Sequence, residues 1–114
     1  MSGIKGWVGV DLDGTLALYD HWRGIEHIGQ PIDRMVRRVK DFLRDGREVR
    51  IFTARVADPE TEVLVRQIIT DWLIANGLPP LAVTNVKDFQ MVELWDDRAV
   101  QVIPNTGRRA DGHG

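Results

Sequence analysis

Short apolar segments, separated by stretches of helical periodicity, constrain the fold of this chain more than any other feature. They cover residues 6–12, 48–54, 81–85 and 91–97, with a shorter apolar run at 99–103. The spacing of apolar residues predicts a first helix from about Pro31 to Gly46. A second helix is predicted between Asp58 and Gly77. Strands that alternate with helices are typical of a mostly parallel sheet with right-handed crossovers, so we predict an α/β protein with five strands.

The remaining segments lack a core-forming pattern. Residues 16–31 carry two glycines and a proline without a clear period, and we predict a short flap there. The last ten residues, 105–114, are predicted to form a disordered tail. We therefore expect one domain over residues 1–104. The connection between the third and fourth strands is short and leaves room only for a brief helix or a turn.

Composition excludes several classes of protein. The chain has no cysteine, which excludes disulfides, zinc-thiolate sites and thiol catalysis. Its net charge of −2 gives no long-range attraction to nucleic acid or to an anionic membrane. No apolar stretch approaches the roughly 20 residues of a membrane helix. We expect a cytoplasmic protein that does not associate with membranes and meets nucleic acid only as a substrate.

Polar side chains stand at the carboxyl ends of the four main strands. In an open parallel sheet, ligands bind beyond these ends, so the side chains should meet at one edge. In chain order they are Asp11 and Asp13, Thr53, Lys87 just beyond the third strand, and Asp96 with Asp97.

The acidic members of this set predict a metal site. Two carboxylates about 4 Å apart repel by roughly 4 kcal/mol at an effective dielectric constant near 20. A hard divalent cation with oxygen ligands removes the conflict, and the absence of cysteine and of a histidine pair favours Mg²⁺. Lys87 and the hydroxyl of Thr53 would then face a transferring phosphoryl group as a cation and a hydrogen-bond donor.

The two-residue spacing of Asp11 and Asp13 suits two chemical roles. Asp11 at the strand tip can attack phosphorus and form an aspartyl-phosphate. Asp13, beyond the strand end, can protonate the leaving oxygen and later deprotonate the attacking water. The two carboxyl groups need different environments, because one must be ionised while the other carries a proton.

Four motifs together resemble those of the haloacid dehalogenase (HAD) superfamily phosphohydrolases. They are DLDGT at 11–15, Thr53 in IFTAR, Lys87 in TNVKD and WDD at 95–97. The resemblance implies a three-layer Rossmann-like, HAD-like fold with strand order 5-4-1-2-3. It implies that Asp11 is both nucleophile and metal ligand, and that Asp13 is the general acid/base and a ligand through its backbone carbonyl. It also implies that Thr53 and Lys87 bind the phosphoryl group and Asp96 holds Mg²⁺, while Asp97 either shares that task or fixes Lys87.

The chain departs from most members of that superfamily in having no room for a cap domain. The flap is the only insertion after the first motif, which resembles the capless subclass. An open site suits a phosphorylated polynucleotide end or a protein. It equally suits a small ester if subunits of a homo-oligomer cover each other's sites. We favour nucleotide-like substrates.

Seven further residues next to the motifs are candidates for substrate binding. They are Gly14, Thr15, Ala54, Arg55, His21, Trp22 and Arg23. Trp22 could stack on a base or sugar, or it could pin the flap to the sheet. Arg55 could bind substrate or lie on the surface.

The predicted function is Mg²⁺-dependent hydrolysis of a phosphomonoester, and two other classes of protein remain open. A phosphoacceptor signalling module also combines acids, threonine and lysine around Mg²⁺, although no aspartate lies at 81–85, where such modules are phosphorylated. A catalytically silent protein of the same fold would bind the phosphate ester without turnover.

Overall fold

The computed structural model describes residues 5–112, which contain a parallel sheet of four strands and two α-helices. The sheet has the order β3-β2-β1-β4, and every neighbouring pair is parallel. In chain order the elements are β1 (Trp7–Val10), α1 (Asp33–Arg44), β2 (Glu48–Phe52), a 3₁₀ turn (Ala54–Val56), α2 (Glu62–Ala75), β3 (Ala82–Thr84) and β4 (Met91–Trp95). This confirms the predicted α/β class and four of the predicted strands.

One face of the sheet carries both helices. Strand residues of one alternating set, such as Val8, Val10 and Ile51, are buried in the hydrophobic core. Apolar residues of both helices belong to the same core: Met35, Val36 and Val39 of α1, and Val65, Ile69 and Leu73 of α2. Helical spacing puts each set on one side of its helix, so burial of that side against the sheet stabilises the helix. Both helices therefore pack on one face of the sheet.

The opposite face is crossed by the chain segment 85–90. Trp7 points to this face and is fully buried, and its indole N–H donates to Asp88 Oδ1 at 2.9 Å. The backbone N–H of Trp7 also donates to the carbonyl of Gln90 at 2.8 Å. Six residues are too few for a crossover helix, and this face carries no helix within residues 5–112. The described part of the chain therefore has two layers, and the predicted third layer is wrong.

The predicted fifth strand at 99–103 is also wrong. Its side chains are exposed, and the segment turns back on the following residues instead of pairing with β4. Ile103 N–H donates to Arg108 O, and Ala110 N–H donates to Gln101 O, each at 2.8 Å. Asn105 and Gly107 take positive φ angles of 66° and 72° in the turn between these pairs. A turn this short closes at low entropic cost, which favours local pairing over pairing with the sheet edge.

The disordered tail predicted for residues 105–114 stays a prediction. The last two residues, 113 and 114, lie outside the described residues. None of the helices within residues 5–112 is long and apolar enough to cross a membrane.

The predicted flap is a closed loop without helix or strand. Its two arms pair at the neck, where Leu18 N–H donates to Gln30 O and Ile32 N–H donates to Leu16 O, both at 2.8 Å. The indole N–H of Trp72 on α2 donates to the flap carbonyl of Gly29 at 3.0 Å. The flap is therefore anchored to the domain at its base.

Candidate functional site

The parallel register places the first and last strand-end acids side by side. Val10 of β1 is paired with Trp95 of β4, so Asp11 and Asp96 are the next residues along two adjacent strands. The backbone N–H of Asp11 donates to the carbonyl of Trp95 at 2.9 Å and extends the pairing by one residue. Neighbouring strands lie only about 4.8 Å apart, which brings the two carboxyl groups within reach of one ligand.

Asp11, Asp96 and Asp97 form an acidic cluster. One carboxylate oxygen from each lies within 4.8 Å of the others. The pKa of Asp11 is raised to about 7, chiefly by burial, and further by a hydrogen bond with Asp97 and by the charge of Asp96. Proximity of like charges in a half-buried site disfavours full ionisation of the cluster.

The acidic cluster fits a hard divalent cation. Within residues 5–112, none of the ion pairs involves Asp11, Asp96 or Asp97. Three carboxylates without a basic partner leave negative charge that a cation can neutralise. The side-chain atoms that could ligate a metal are all oxygens, which suit Mg²⁺ better than a softer transition metal. These three residues could therefore hold a metal ion.

A tight turn after β1 positions the first motif. The carbonyl of Leu12 accepts hydrogen bonds from the N–H groups of Thr15, Leu16 and Ala17. Leu12 and Leu16 are fully buried and anchor this turn in the core. Gly14 has a φ angle of 89°, and a Cβ there would lie 2.5 Å from Asp97 Oδ2. Glycine is thus required both by the backbone conformation and by the approach of Asp97.

Asp13 does not belong to the acidic cluster and instead forms an ion pair with Arg55. The guanidinium Nε and Nη2 donate to the two carboxylate oxygens at 2.7 and 2.8 Å, a bidentate arrangement. The same guanidinium donates to the flap carbonyls of His27 at 2.8 Å and Ile25 at 3.4 Å. Only 5% of the Arg55 side chain is exposed. Arg55 therefore binds the first motif and the flap, and its polar hydrogens are engaged mainly by the protein.

Thr53 is buried at the end of β2 and lines the same cleft as Asp11. Its backbone N–H donates to the carbonyl of Thr84, which continues the pairing with β3. Its hydroxyl oxygen accepts from Arg55 N–H at 3.1 Å and starts the 3₁₀ turn. The hydroxyl hydrogen is not used in that bond and can donate to a ligand in the cleft.

The other predicted residues divide between the cleft and the surface. The cleft has a volume of about 600 Å³, and Asp11, Asp13, Ala54 and Trp22 contribute to its walls. Thr15 is buried and its hydroxyl lies 3.5 Å from Asp97 Oδ1. Lys87 lies in the exposed segment after β3 and is not among the described residues that line the cleft.

His21 and Arg23 lie on the exposed surface of the flap. Both side chains pair with Asp20 on the exposed surface, at 3.1 and 2.8 Å. Arg23 lines a second depression, whose walls are formed by flap residues. Neither residue is among the described residues that line the main cleft.

Several cleft residues were not found from the sequence. Tyr19 and Ile25 come from the flap, Asp58 and Thr61 from the chain leading into α2, and Arg98 from the residues after β4. The flap has no periodicity that predicts which side chains face inward. Arg98 had a usable signal, because it follows the strand-end acids directly.

Comparison of the chain with protein-family models, with curated proteins and with solved structures finds no match.

Proposed function

We propose that this protein is a Mg²⁺-dependent phosphomonoester hydrolase that works through an aspartyl-phosphate on Asp11, as the resemblance of its motifs to the HAD superfamily implies. The observation that carries the proposal is the acidic cluster at the carboxyl edge of the sheet, two of whose members, Asp11 and Asp96, line a cleft together with Thr53. The cluster supplies metal ligands, and the cleft supplies room for an ester.

Asp11 is the proposed nucleophile. Its carboxylate attacks phosphorus, a new oxygen–phosphorus bond makes Asp11 an acyl phosphate, and the bond from phosphorus to the leaving oxygen breaks as that oxygen takes a proton from Asp13. Thr53 donates its hydroxyl hydrogen to a phosphoryl oxygen during this step. Asp96 and Asp97, with Asp11, would hold Mg²⁺, which when bound supplies positive charge next to the phosphoryl oxygens.

Asp13 is the proposed general acid and base. Water attacks the aspartyl-phosphate, Asp13 takes the proton from that water, and phosphate leaves with Asp11 restored. The proton is then given to the leaving oxygen of the next ester. Each Asp13 oxygen accepts one hydrogen bond from Arg55 and keeps a second lone pair for this proton. Arg55 thus orients the carboxyl group without occupying it fully.

Phosphate release from a panel of phosphorylated metabolites, nucleotides, oligonucleotides and phosphopeptides tests the proposal. The panel is measured with Mg²⁺, with EDTA and with two variants, Asp11→Asn and Asp71→Asn. Asp71 is an exposed aspartate on α2 that bonds Gln67, so its variant is a matched control. We expect release that requires Mg²⁺, is lost in Asp11→Asn and is retained in Asp71→Asn. Full activity in Asp11→Asn would exclude the proposed nucleophile.

The lifetime of the phosphorylated protein separates hydrolysis from signalling. Acetyl phosphate is a small donor that can load an aspartate, and the label on Asp11 is then followed with time. Decay within seconds supports a hydrolase, whereas persistence for hours supports a phosphoacceptor module. Binding of phosphate esters without any labelling or turnover supports a silent binding protein.

A further inference from the structure

The flap supplies an aromatic wall to the cleft that Asp11 and Asp96 also line. Tyr19, Trp22 and Ile25 belong to this wall, which is the flap end of the cleft. Trp22 is 52% exposed, and the Arg55 guanidinium lies over its ring at 4.9 Å. Stacking on Arg55 leaves part of a large aromatic surface open to the cleft.

Side-chain hydrogen bonds fix the flap to the rest of the domain. Arg55 donates to the flap carbonyls of Ile25 and His27, and Trp72 donates to that of Gly29. The aromatic wall is therefore positioned before any ligand binds, which lowers the entropic cost of binding.

The charges along the cleft select against a ligand with many phosphates. Its carboxylates are Asp11, Asp13, Asp58 and Asp96. Its guanidinium groups are those of Arg55, which is paired with Asp13, and Arg98. Binding of a polynucleotide backbone requires a series of basic contacts to phosphates, and the described cleft residues do not provide one.

The cleft volume suits a small ligand. Sites for ligands of drug-like size have volumes of about 300–1,000 Å³, and this cleft has about 600 Å³. Asp58 and Thr61 line the cleft as well and offer hydrogen-bonding groups to hydroxyl or amino groups. The cleft thus combines one site for a phosphoryl group with an aromatic wall and with charged and hydroxyl side chains that can bind polar groups of a ligand.

We propose that the flap end of the cleft is the leaving-group site, and that it selects small phosphate monoesters with a planar aromatic group, of the nucleoside monophosphate type, through stacking on Trp22. This inference rests on the proposed function for the position of the phosphoryl group. It narrows the substrate from any phosphomonoester to one with a single phosphate and an aromatic ring.

Three substrates separate the contributions of ring, sugar and polymer. Adenosine 5′-monophosphate has a base, ribose 5-phosphate has the same sugar phosphate without a base, and a 5′-phosphorylated oligonucleotide adds a phosphate backbone. We expect kcat/KM to be about tenfold higher for adenosine 5′-monophosphate than for ribose 5-phosphate, given typical stacking of a base on an aromatic side chain. The oligonucleotide should be the poorest of the three.

Variants of Trp22 assign the preference to the stacking surface. Trp22→Ala should bring the ratio of kcat/KM for the two monophosphates close to one, whereas Trp22→Phe should retain most of it. Phe89→Ala is the control, because Phe89 is fully exposed on the segment 85–90 and is not among the described residues that line the cleft. It should leave the ratio unchanged.

A binding measurement distinguishes failure of this inference from failure of the proposed function. Calorimetric titration of the Asp11→Asn variant compares the affinities for adenosine 5′-monophosphate and ribose 5-phosphate. A preference for the nucleotide that Trp22→Ala removes supports the inference even if no ester is hydrolysed. Equal kcat/KM values and equal affinities for the two monophosphates would overturn the inference but would leave the proposed hydrolase function intact. A higher kcat/KM for the oligonucleotide would overturn the inference in favour of polynucleotide ends as substrates.

Discussion

Replacing Arg55 by alanine removes the residue that ties the first motif to the flap. The change deletes the bidentate pair with Asp13 and the hydrogen bonds to the carbonyls of Ile25 and His27. It also removes the guanidinium that stacks on Trp22. The Asp13 side chain is only 21% exposed, so its carboxylate is left without a cation in a largely desolvated position.

The expected loss of stability follows from that burial. Breaking a buried pair by removing one partner costs about 3–5 kcal/mol, and the partial exposure of Asp13 places this pair near the lower end, about 3 kcal/mol. For 114 residues the entropy of unfolding is about 240 cal/mol/K, at roughly 2.1 cal/mol/K per residue. The melting temperature should therefore fall by about 12 °C. Arg55→Lys keeps the charge but loses the bidentate geometry, so its loss of stability should lie between that of Arg55→Ala and zero.

Thermal unfolding and urea titration measure the loss of stability. Hydrogen exchange of the flap amides shows where in the protein the stability is lost. Amide exchange in residues 18–30 should accelerate in Arg55→Ala more than exchange in α2. Arg44→Ala is the matched control, because Arg44 pairs with Asp41 on the exposed side of α1 and should cost at most about 1 kcal/mol. If Arg55→Ala costs no more than Arg44→Ala, Arg55 does not hold the flap and the first motif together.

Other predictions concern the acidic cluster. Mg²⁺ at one hundred times its dissociation constant should stabilise the protein by about 2.7 kcal/mol in chemical denaturation. Asp11→Asn should abolish this stabilisation by Mg²⁺. In the metal-free protein at pH 8, the same variant should raise the melting temperature, because it relieves repulsion between carboxylates. Unchanged stabilisation by Mg²⁺ would exclude Asp11 as a ligand. Because the pKa of Asp11 is raised to about 7, a proton competes with the metal for this carboxylate. The Mg²⁺ affinity measured by calorimetry should therefore fall by about tenfold per pH unit well below pH 7 and should be constant above pH 8. Gly14→Ala and Gly24→Ala both place a side chain at positive φ, which should cost about 1–2 kcal/mol of stability each. Only Gly14→Ala should also weaken Mg²⁺ binding, because a Cβ at Gly14 would contact Asp97 whereas a Cβ at Gly24 would meet open space. Equal Mg²⁺ affinity in the two glycine variants would show that the approach of Asp97 to Gly14 is not needed for the metal site.

The acids of the first and fourth strands could be predicted to meet because strand ends in a parallel sheet lie at one edge. The alternation of Val8, Val10 and Leu12 with Gly9, Asp11 and Asp13 marks the strand, and the two acids mark its end. The same reasoning failed for residues 99–103, whose apolar composition suits a strand. Pairing there is decided by a competition between the sheet edge and a nearby turn, and composition does not measure that competition.

The partners of Arg55 could not be predicted for a different reason. Asp13 lies 42 residues away in sequence, and the flap carbonyls lie 28 and 30 residues away. Backbone carbonyls carry no sequence signal, since every residue has one. The sequence left open whether Arg55 binds substrate or lies on the surface, and only the folded flap shows that its guanidinium also binds Asp13 and two flap carbonyls.

The sequence by itself determined the order of strands and helices and the acids at the strand ends, because periodicity and chain breaks are local properties of the chain. The tertiary structure decided how many layers cover the sheet, where the chain after β4 pairs, and which charges remain free. Those outcomes depend on contacts between residues far apart in sequence, whose free energies compete with one another and with solvent. Asp13 and Asp11 stand two residues apart, yet Asp13 is paired with Arg55 and Asp11 belongs to the acidic cluster, because Asp11 continues the strand while Asp13 lies in the turn that begins at Leu12.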